Sequence, residues 1–491
     1  MFIGIDLGTS SLKVIVLDRA HQVRASASAP LTVAQPERLW REQDPAHWWA
    51  ACQQALEAAL AQAGAAGIAA RSIEAIGLTG QMHGATLLDG QGTVLRPAIL
   101  WNDGRSFEEC AELERRVPAS RQITGNLMMP GFTAPKLMWL ARHEPAVFGR
   151  IAKVLLPKDY LRWCLTGVYA SDMSDSAGTL WLDVGRRAWS DELLAATGLT
   201  RAQMPSLHEG PQVTGLLRGD LARRFGLEPI PVVAGAGDNA AGALGVGVVQ
   251  AGDAMLSLGT SGVCFEATDG FRTNPAQAVH SFCHALPGTW HLMSVMLSAA
   301  SCLDFTARLT GQTDVGQLLA EAQARGLGAE TPLFLPYLNG ERTPHNNPAA
   351  QAVFFGMGPG TDRADLMNAT LEGVAHGLAQ GIAALESTGV AAHSISLIGG
   401  GSRSAYWAQL IADVSGKTLL RRADAEVGPS LGAARLARMA VDQASAVEVC
   451  PAPALTAVHQ PDPERHAWLA QRHARFARLY TQLQPSFSTA G

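Results

Sequence analysis

The sequence predicts an α/β protein built from two related halves. The segment Ile5-Asp6-Leu7-Gly8-Thr9-Ser10-Ser11 is echoed by Leu256-Ser257-Leu258-Gly259-Thr260-Ser261-Gly262, about 250 residues later. Each copy is an apolar, strand-like run ending in Gly-Thr-Ser. Strand and helix signals follow both copies in a similar order. A chain of 491 residues also exceeds what one hydrophobic core fills. A boundary near residues 245–252 gives two units, 1–246 and 247–491.

Phe2 to Asp6 reads as a strand, followed by a glycine turn and a second strand, Leu12 to Leu17; Asp18 opens another turn of an antiparallel meander. Asp44-Pro45 reads as an N-cap with proline at the first helical position. Trp48, Cys52, Ala55, Leu56 and Ala59 then recur at helical spacing, one buried face. Ile73 to Thr79, bounded by Gly80, reads as a buried strand. Thr86 to Leu88, followed by Asp89-Gly90, reads as a strand entering a hairpin. Signals mix to about residue 228, and Pro229 to Gly235 restarts a strand. In the second half, Asp365 to Leu385 reads as a long helix and Ile395 to Ile398 as a strand. Tyr406 to Val414 reads as a helix stopping at Gly416.

Composition narrows the function classes. The chain is 47% hydrophobic and 16% charged, with a net charge of −5, which argues against nucleic acid as a main partner. No run approaches a membrane span, and the strand-like start Met1-Phe2-Ile3-Gly4-Ile5 has no export-signal pattern. Seven dispersed cysteines without CxxC pairs fit a reducing cytoplasm and suggest no zinc site.

Five segments carry candidate chemistry. Glycine in each Gly-Thr-Ser turn lets the backbone approach an anion, and exposed amides and hydroxyls donate to it. Gly8, Thr9, Gly259 and Thr260 thus read as two grips on a polyphosphate, or as two ordinary hairpin turns. Asp6 would repel a polyphosphate unless a cation lay between them, so it implies Mg²⁺; the alternative is a turn aspartate. Ala234 to Gly242 reads as a small-residue loop in which Asp238 points into open space, suited to accept a proton from a hydroxyl, with Asn239 beside it. It also reads as a tight turn binding local amides. Gly399-Gly400-Gly401-Ser402 joins a strand to a helix and favours an anion or a flat base, or else close packing; it matches neither GxGxxG nor a P-loop. Gly80-Gln81-Met82-His83-Gly84 places Gln81 and His83 where they would meet sugar hydroxyls, with Met82 as an apolar wall, or where His83 is structural. Trp101-Asn102-Asp103-Gly104-Arg105 reads as a turn with an Asp–Arg pair.

Taken in order, these motifs resemble the FGGY carbohydrate kinases. Gly131-Phe132-Thr133-Ala134-Pro135-Lys136-Leu137-Met138-Trp139-Leu140 is similar to that family's first signature. Ala352 through Gly356-Met357, then Asp365-Leu366 and Ala369-Thr370-Leu371-Glu372, is similar to its second. Gly80–Gly84, Leu100–Arg105 and Gly340-Glu341-Arg342-Thr343-Pro344-His345 are similar to segments of its ketopentose-phosphorylating members. The resemblance covers all but the last ~40 residues.

It implies the actin-like ATPase (RNase H-like) fold, two similar domains around a central cleft, the first on the sugar side and the second on the ATP side. It implies ATP and Mg²⁺, with phosphoryl transfer to the C5 hydroxyl of D-xylulose in the cytoplasm. Asp238 would be the general base and Asp6 the acid near the metal. Met82, His83, Asp238 and Asn239 would contact sugar; Gly8, Thr9, Gly259 and Thr260 the phosphates; Gly400 and Gly401 the adenosine. The partners would be a small sugar and ATP, with a homodimer compatible and neither nucleic acid nor membrane involved. Ribulose, gluconate and glycerol are rival substrates, and a non-catalytic actin-like ATPase module is a rival class.

Overall fold

The computed structural model describes residues 1–423 and 428–487. Two seven-stranded mixed sheets dominate it. In the first, Val213–Leu216, Pro231–Val233, Ala75–Gly80, Phe2–Leu7, Ser11–Leu17 and Val23–Pro30 lie side by side, and Ala236–Gly237 adds to Ala75–Gly80. In the second the order is His280–Cys283, Trp290–Met296, Gly262–Thr268, Ala254–Leu258, Ser394–Ile398, Thr418–Arg422 and Leu455–His459.

The echo in sequence is an echo in topology. Phe2–Leu7 pairs antiparallel with Ser11–Leu17 and parallel with Ala75–Gly80. Ala254–Leu258 pairs antiparallel with Gly262–Thr268 and parallel with Ser394–Ile398. Asp6 and Ser257 occupy the same place, one residue before the end of each strand. Each Gly-Thr-Ser is the turn of the hairpin that follows.

Most local elements form where their sequence patterns place them. Asp44 caps the helix Pro45–Ala65, accepting from Ala46 N at 2.9 Å, and Trp48, Cys52, Ala55, Leu56 and Ala59 are buried. A 3₁₀ turn at Ala70–Ser72 delays the next strand to Ala75. The hairpin after Thr86–Leu88 is reduced to one bridge, Leu88 to Val94, because that strand pairs instead with Lys153–Leu155. The long helix spans Arg363–Glu386. Ala405–Ser415 ends at Gly416, whose φ of 68° is the left-handed cap glycine tolerates.

Two features bind the halves together. The helix Gly428–Asp442, from the second half of the chain, lies on the first sheet. A Cβ on Gly4 would sit 1.9 Å from Ser430 O, and one on Gly77 1.9 Å from Ala433 O, so only glycine admits the helix. One hydrophobic core also runs from Met82, Phe132 and Trp181 in the first half to Phe265, Phe282 and Met293 in the second. No helix among the described residues is long and apolar enough to cross a membrane.

Candidate active site

Asp238 begins the helix Asp238–Gly245, directly after the short strand Ala236–Gly237. This corrects the loop expected over Ala234–Gly242: its small residues serve a helix crossing. A Cβ on Gly432 would meet Ala241 O at 1.9 Å, so the helices Asp238–Gly245 and Gly428–Asp442 touch backbone to backbone. Gly237 is small for another reason: a Cβ there would lie 2.9 Å from Met82 Sδ. Met82 is buried against the backbone that carries Asp238.

Asp238 is half-buried, and Asn239 donates to its Oδ1 from both backbone N (2.8 Å) and Nδ2 (3.0 Å). Burial raises its pKa to about 6 against those two hydrogen bonds. Asp6 is raised further, to about 7, by burial and then by the Asp238 charge, with Lys13 opposing. The two carboxylates therefore share one electrostatic environment, and neither has an ion-pair partner among the described residues.

A cavity of about 480 Å³ opens between the sheets. Its wall includes Asp238, Asn239, Gly242, Ser257, Gly399 and Gly400. Of the residues singled out from sequence, Asp238, Asn239 and Gly400 line it. Asp6 is in electrostatic reach of Asp238, and Ser257 holds the place in the second copy that Asp6 holds in the first. Gly259 and Thr260 follow Ser257 by two and three residues.

The three consecutive glycines divide their work. They lead into a 3₁₀ turn, Gly400–Arg403, and only then into the helix that Ser404 caps, rather than directly into a helix. A Cβ on Gly399 would lie 2.7 Å from Leu258 O, and one on Gly401 2.7 Å from Trp407 Cζ3. Gly400 has open space around it. Packing thus requires glycine at Gly399 and Gly401, while Gly400 lines the cavity, as Gly399 does, without any such constraint.

The turn containing Gly8 and Thr9 is held from below. Thr9 Oγ1 donates to Gln81 Oε1 and accepts from Trp101 Nε1, both at 3.0 Å. Gln81 Nε2 donates to Gln43 Oε1 at 2.8 Å, and Gln43 Nε2 to Thr9 O at 2.8 Å. Buried Gln81 therefore spends its amide on the turn and not on a sugar, a correction to its expected role. Asp103 and Arg105 form the bidentate pair that the turn sequence suggests, at 2.9 and 2.7 Å. The second turn is fixed differently: Ala299 N donates to Thr260 O at 2.8 Å and Ala300 N to Gly259 O at 2.9 Å.

His83 sits in the left-handed region at φ 69°. Its Nδ1 donates to Gly178 O at 2.8 Å, which leaves Nε2 as an acceptor. Burial, then Lys136, lowers its pKa to about 3, so the ring stays neutral. Lys136, from the first signature stretch, donates to His83 O at 2.9 Å and Gly131 O at 2.8 Å.

Behind this wall lies a charged cluster that sequence reasoning missed. Lys158 Nζ is 2.7 Å from Asp159, 2.6 Å from Asp172 and 3.0 Å from Asp175, all fully buried. The three carboxylates lie close enough to hold a metal ion, but the ammonium fills their centre. Asp172 Oδ2 accepts from Ser174 Oγ at 2.5 Å, and Ser174 Oγ accepts from Gly237 N at 3.1 Å. The cluster thus reaches the residue preceding Asp238. Its members lie dozens of residues from Asp238 in sequence, so no local pattern signals the connection.

Two family models cover most of the chain: the N-terminal domain of the FGGY family of carbohydrate kinases matches residues 1–245, and its C-terminal domain residues 254–441. The chain is 56% identical to a xylulose kinase of Escherichia coli (strain K12), over 99% of both chains. It is 55% identical to a xylulose kinase of Klebsiella pneumoniae, over 99% of this chain and 100% of that one. Among solved structures, a xyloylose kinase from Brucella ovis aligns with a TM-score of 0.95 at 47% identity over 99% of both chains. Xylulose kinase from Rhodospirillum rubrum aligns with a TM-score of 0.91 at 31% identity, again over 99% of both. Two matching mixed sheets around a cleft are the actin-like ATPase fold, and ATP is the phosphoryl donor that kinase membership implies. The chain belongs to the FGGY family of carbohydrate kinases.

Proposed function

We propose that the protein phosphorylates D-xylulose at its C5 hydroxyl with ATP. The observation that carries this reading is the position of Asp238: a carboxylate raised by burial, on the wall of the cavity that Gly400 also lines, backed by Met82. The kinship with xylulose kinases over nearly the full chain supports the choice of sugar.

In this reading Asp238 is the general base and accepts the proton of the C5 hydroxyl. Asn239 fixes its orientation. His83 Nε2 accepts from a second sugar hydroxyl, and Met82 is the apolar floor. Gly8 and Thr9 face Gly259 and Thr260 across the phosphates, and Gly400 and Gly401 lie along the adenosine. Such phosphoryl transfer asks little covalent chemistry of the protein; positioning and charge neutralisation carry it. The division at 246/247 puts the base on the first domain and most of the nucleotide cavity on the second.

Mg²⁺ belongs to the same reading. Burial raises both Asp6 and Asp238, and the Asp238 charge raises Asp6 further, which is a donor set that a divalent cation stabilises. Asp6 would hold it, and the ion would neutralise phosphate charge. Cytoplasmic placement is supported by seven free cysteines, all buried. A homodimer is part of the reading too; exposed Phe355 and Met357 in the second signature stretch offer it apolar surface.

A coupled assay of ATP turnover across ketopentoses, gluconate and polyols, with a sugar-free arm, tests the proposal. Preference for D-xylulose supports it. Turnover confined to another sugar, or ATP hydrolysis that no sugar accelerates, overturns it.

A further inference from the structure

A 2-ketopentose closes its furanose ring through the C5 hydroxyl. Phosphorylation at C5 therefore requires the open chain, with a free ketone at C2. A ketone oxygen only accepts hydrogen bonds, and desolvating it without a donor is costly.

The groups around Asp238 do not supply that donor. His83 spends its N–H on Gly178 O and offers only a lone pair. Gln81 and Trp101 are committed to Thr9 and its neighbours. Lys136 donates to two backbone carbonyls behind His83. Asn239 Nδ2 donates to Asp238, at the C5 end, three carbon–carbon bonds from the ketone.

The second half of the chain brings a donor to the rings that surround His83. Phe132 packs edge-on against His83 at 4.5 Å and against His280 at 5.5 Å between ring centroids. Phe282 stacks on His280 at 5.7 Å and lies 6.3 Å from His83. His280 Nδ1 donates to Asn126 Oδ1 at 3.2 Å, so its Nε2 accepts from Arg342 Nη1 at 3.3 Å. Arg342 thus stands at the edge of the aromatic group that includes His83, and its charge reaches that ring. Glu341, its chain neighbour, turns Oε1 to the backbone amides of Leu297 (3.0 Å) and Arg342 (2.7 Å). Among the described residues the guanidinium has no ion-pair partner, and most of its N–H groups are uncommitted.

We propose that Arg342 donates to the C2 carbonyl of the open-chain sugar and is the residue that selects a ketose over a polyol. This rests on the ketopentose kinase reading above. A polyol hydroxyl can accept from the guanidinium too, but its own proton then needs a further acceptor, whereas a ketone needs none. His83, which can only accept, contributes no such preference.

The test compares kcat/KM for D-xylulose with that for xylitol and D-arabinitol, in which the ketone is reduced. The wild type prefers the ketose strongly. Arg342→Met lowers that preference by roughly 100-fold, the scale of a charged hydrogen bond, mainly through loss of the ketose reaction. Arg342→Lys keeps a charged donor and retains an intermediate preference; it carries the test if Arg342→Met does not fold. A preference unchanged in the variants, or an equal loss on ketose and polyol, overturns the assignment of Arg342 while leaving the kinase reading intact. A wild type that turns over no ketopentose overturns both.

Discussion

The backbone N–H of Gly237 donates to Ser174 Oγ across 3.1 Å, linking the residue before Asp238 to a buried charge cluster. Ser174 in turn donates to Asp172, which is paired with Lys158. The carboxylate proposed to take the substrate proton is therefore positioned by a network whose charges are all out of water, where each hydrogen bond is strengthened and each lost partner is expensive.

Ser174→Ala removes the link and leaves the Gly237 amide without its acceptor. The expected result is a fall in kcat of about tenfold, in line with the 1–3 kcal/mol of an unsatisfied buried group, with KM for ATP little changed. Steady-state kinetics together with a melting curve check this. A melting temperature that falls while kcat stays at the wild-type value would show that Ser174 stabilises the fold without positioning Asp238.

Asp238→Asn keeps the shape of the site and removes the base. We expect kcat to fall by at least ~10²-fold, with nucleotide and sugar binding retained in calorimetry. A base must be ionised to act. Because burial raises Asp238 to about 6, kcat/KM for the sugar should decline as pH falls through that region. An activity flat down to pH 4 would mean that another group takes the proton.

Asp6 links function to stability. Its folded pKa of about 7 stands well above its ordinary value of 3.8, so the folded protein holds that proton more tightly than the unfolded chain. The associated stability is complete below pH 4 and is lost as pH rises through 7. Asp6→Asn escapes that loss. In the absence of Mg²⁺ and ATP it should melt above the wild type at pH 8, by on the order of 2 °C, with the gap closing at low pH, while phosphorylation is severely reduced. Equal pH dependence of melting in both proteins would count against a strained Asp6.

The neighbouring glycines Gly400 and Gly401 differ in the space around them. Gly401→Ala drives a methyl into Trp407 and Leu258 and should cost about 1–3 kcal/mol of stability. Gly400→Ala meets no atom within 4 Å, so the protein should melt normally. Its KM for ATP should rise severalfold if the cavity takes the nucleotide as proposed, because the added methyl enters that cavity. Thermal melts and ATP titrations of the two variants distinguish these effects, and a normal KM for ATP in Gly400→Ala removes Gly400 from the binding surface.

The sequence by itself determined the two related halves, their mixed strand and helix content, the paired Gly-Thr-Ser turns and the prominence of Asp238. Those features are local: strand alternation, helical spacing and turn chemistry act over a few residues, and a duplicated unit repeats them. The tertiary structure decided what such patterns do not encode. Gln81, set between glycines like a sugar ligand, is consumed by Thr9 and Gln43, because the parallel pairing of Ala75–Gly80 with Phe2–Leu7 brings them together. The small residues after Asp238 admit the helix Gly428–Asp442, which arrives from nearly two hundred residues away. Lys158, Asp172 and Ser174 gather beneath Gly237 through contacts within the first half, whereas His280, Phe282 and Arg342 approach His83 only once the two halves pack together. Desolvation does the rest: the same burial that assembles these groups raises Asp6 and Asp238 and keeps His83 neutral, shifts that no local sequence pattern encodes.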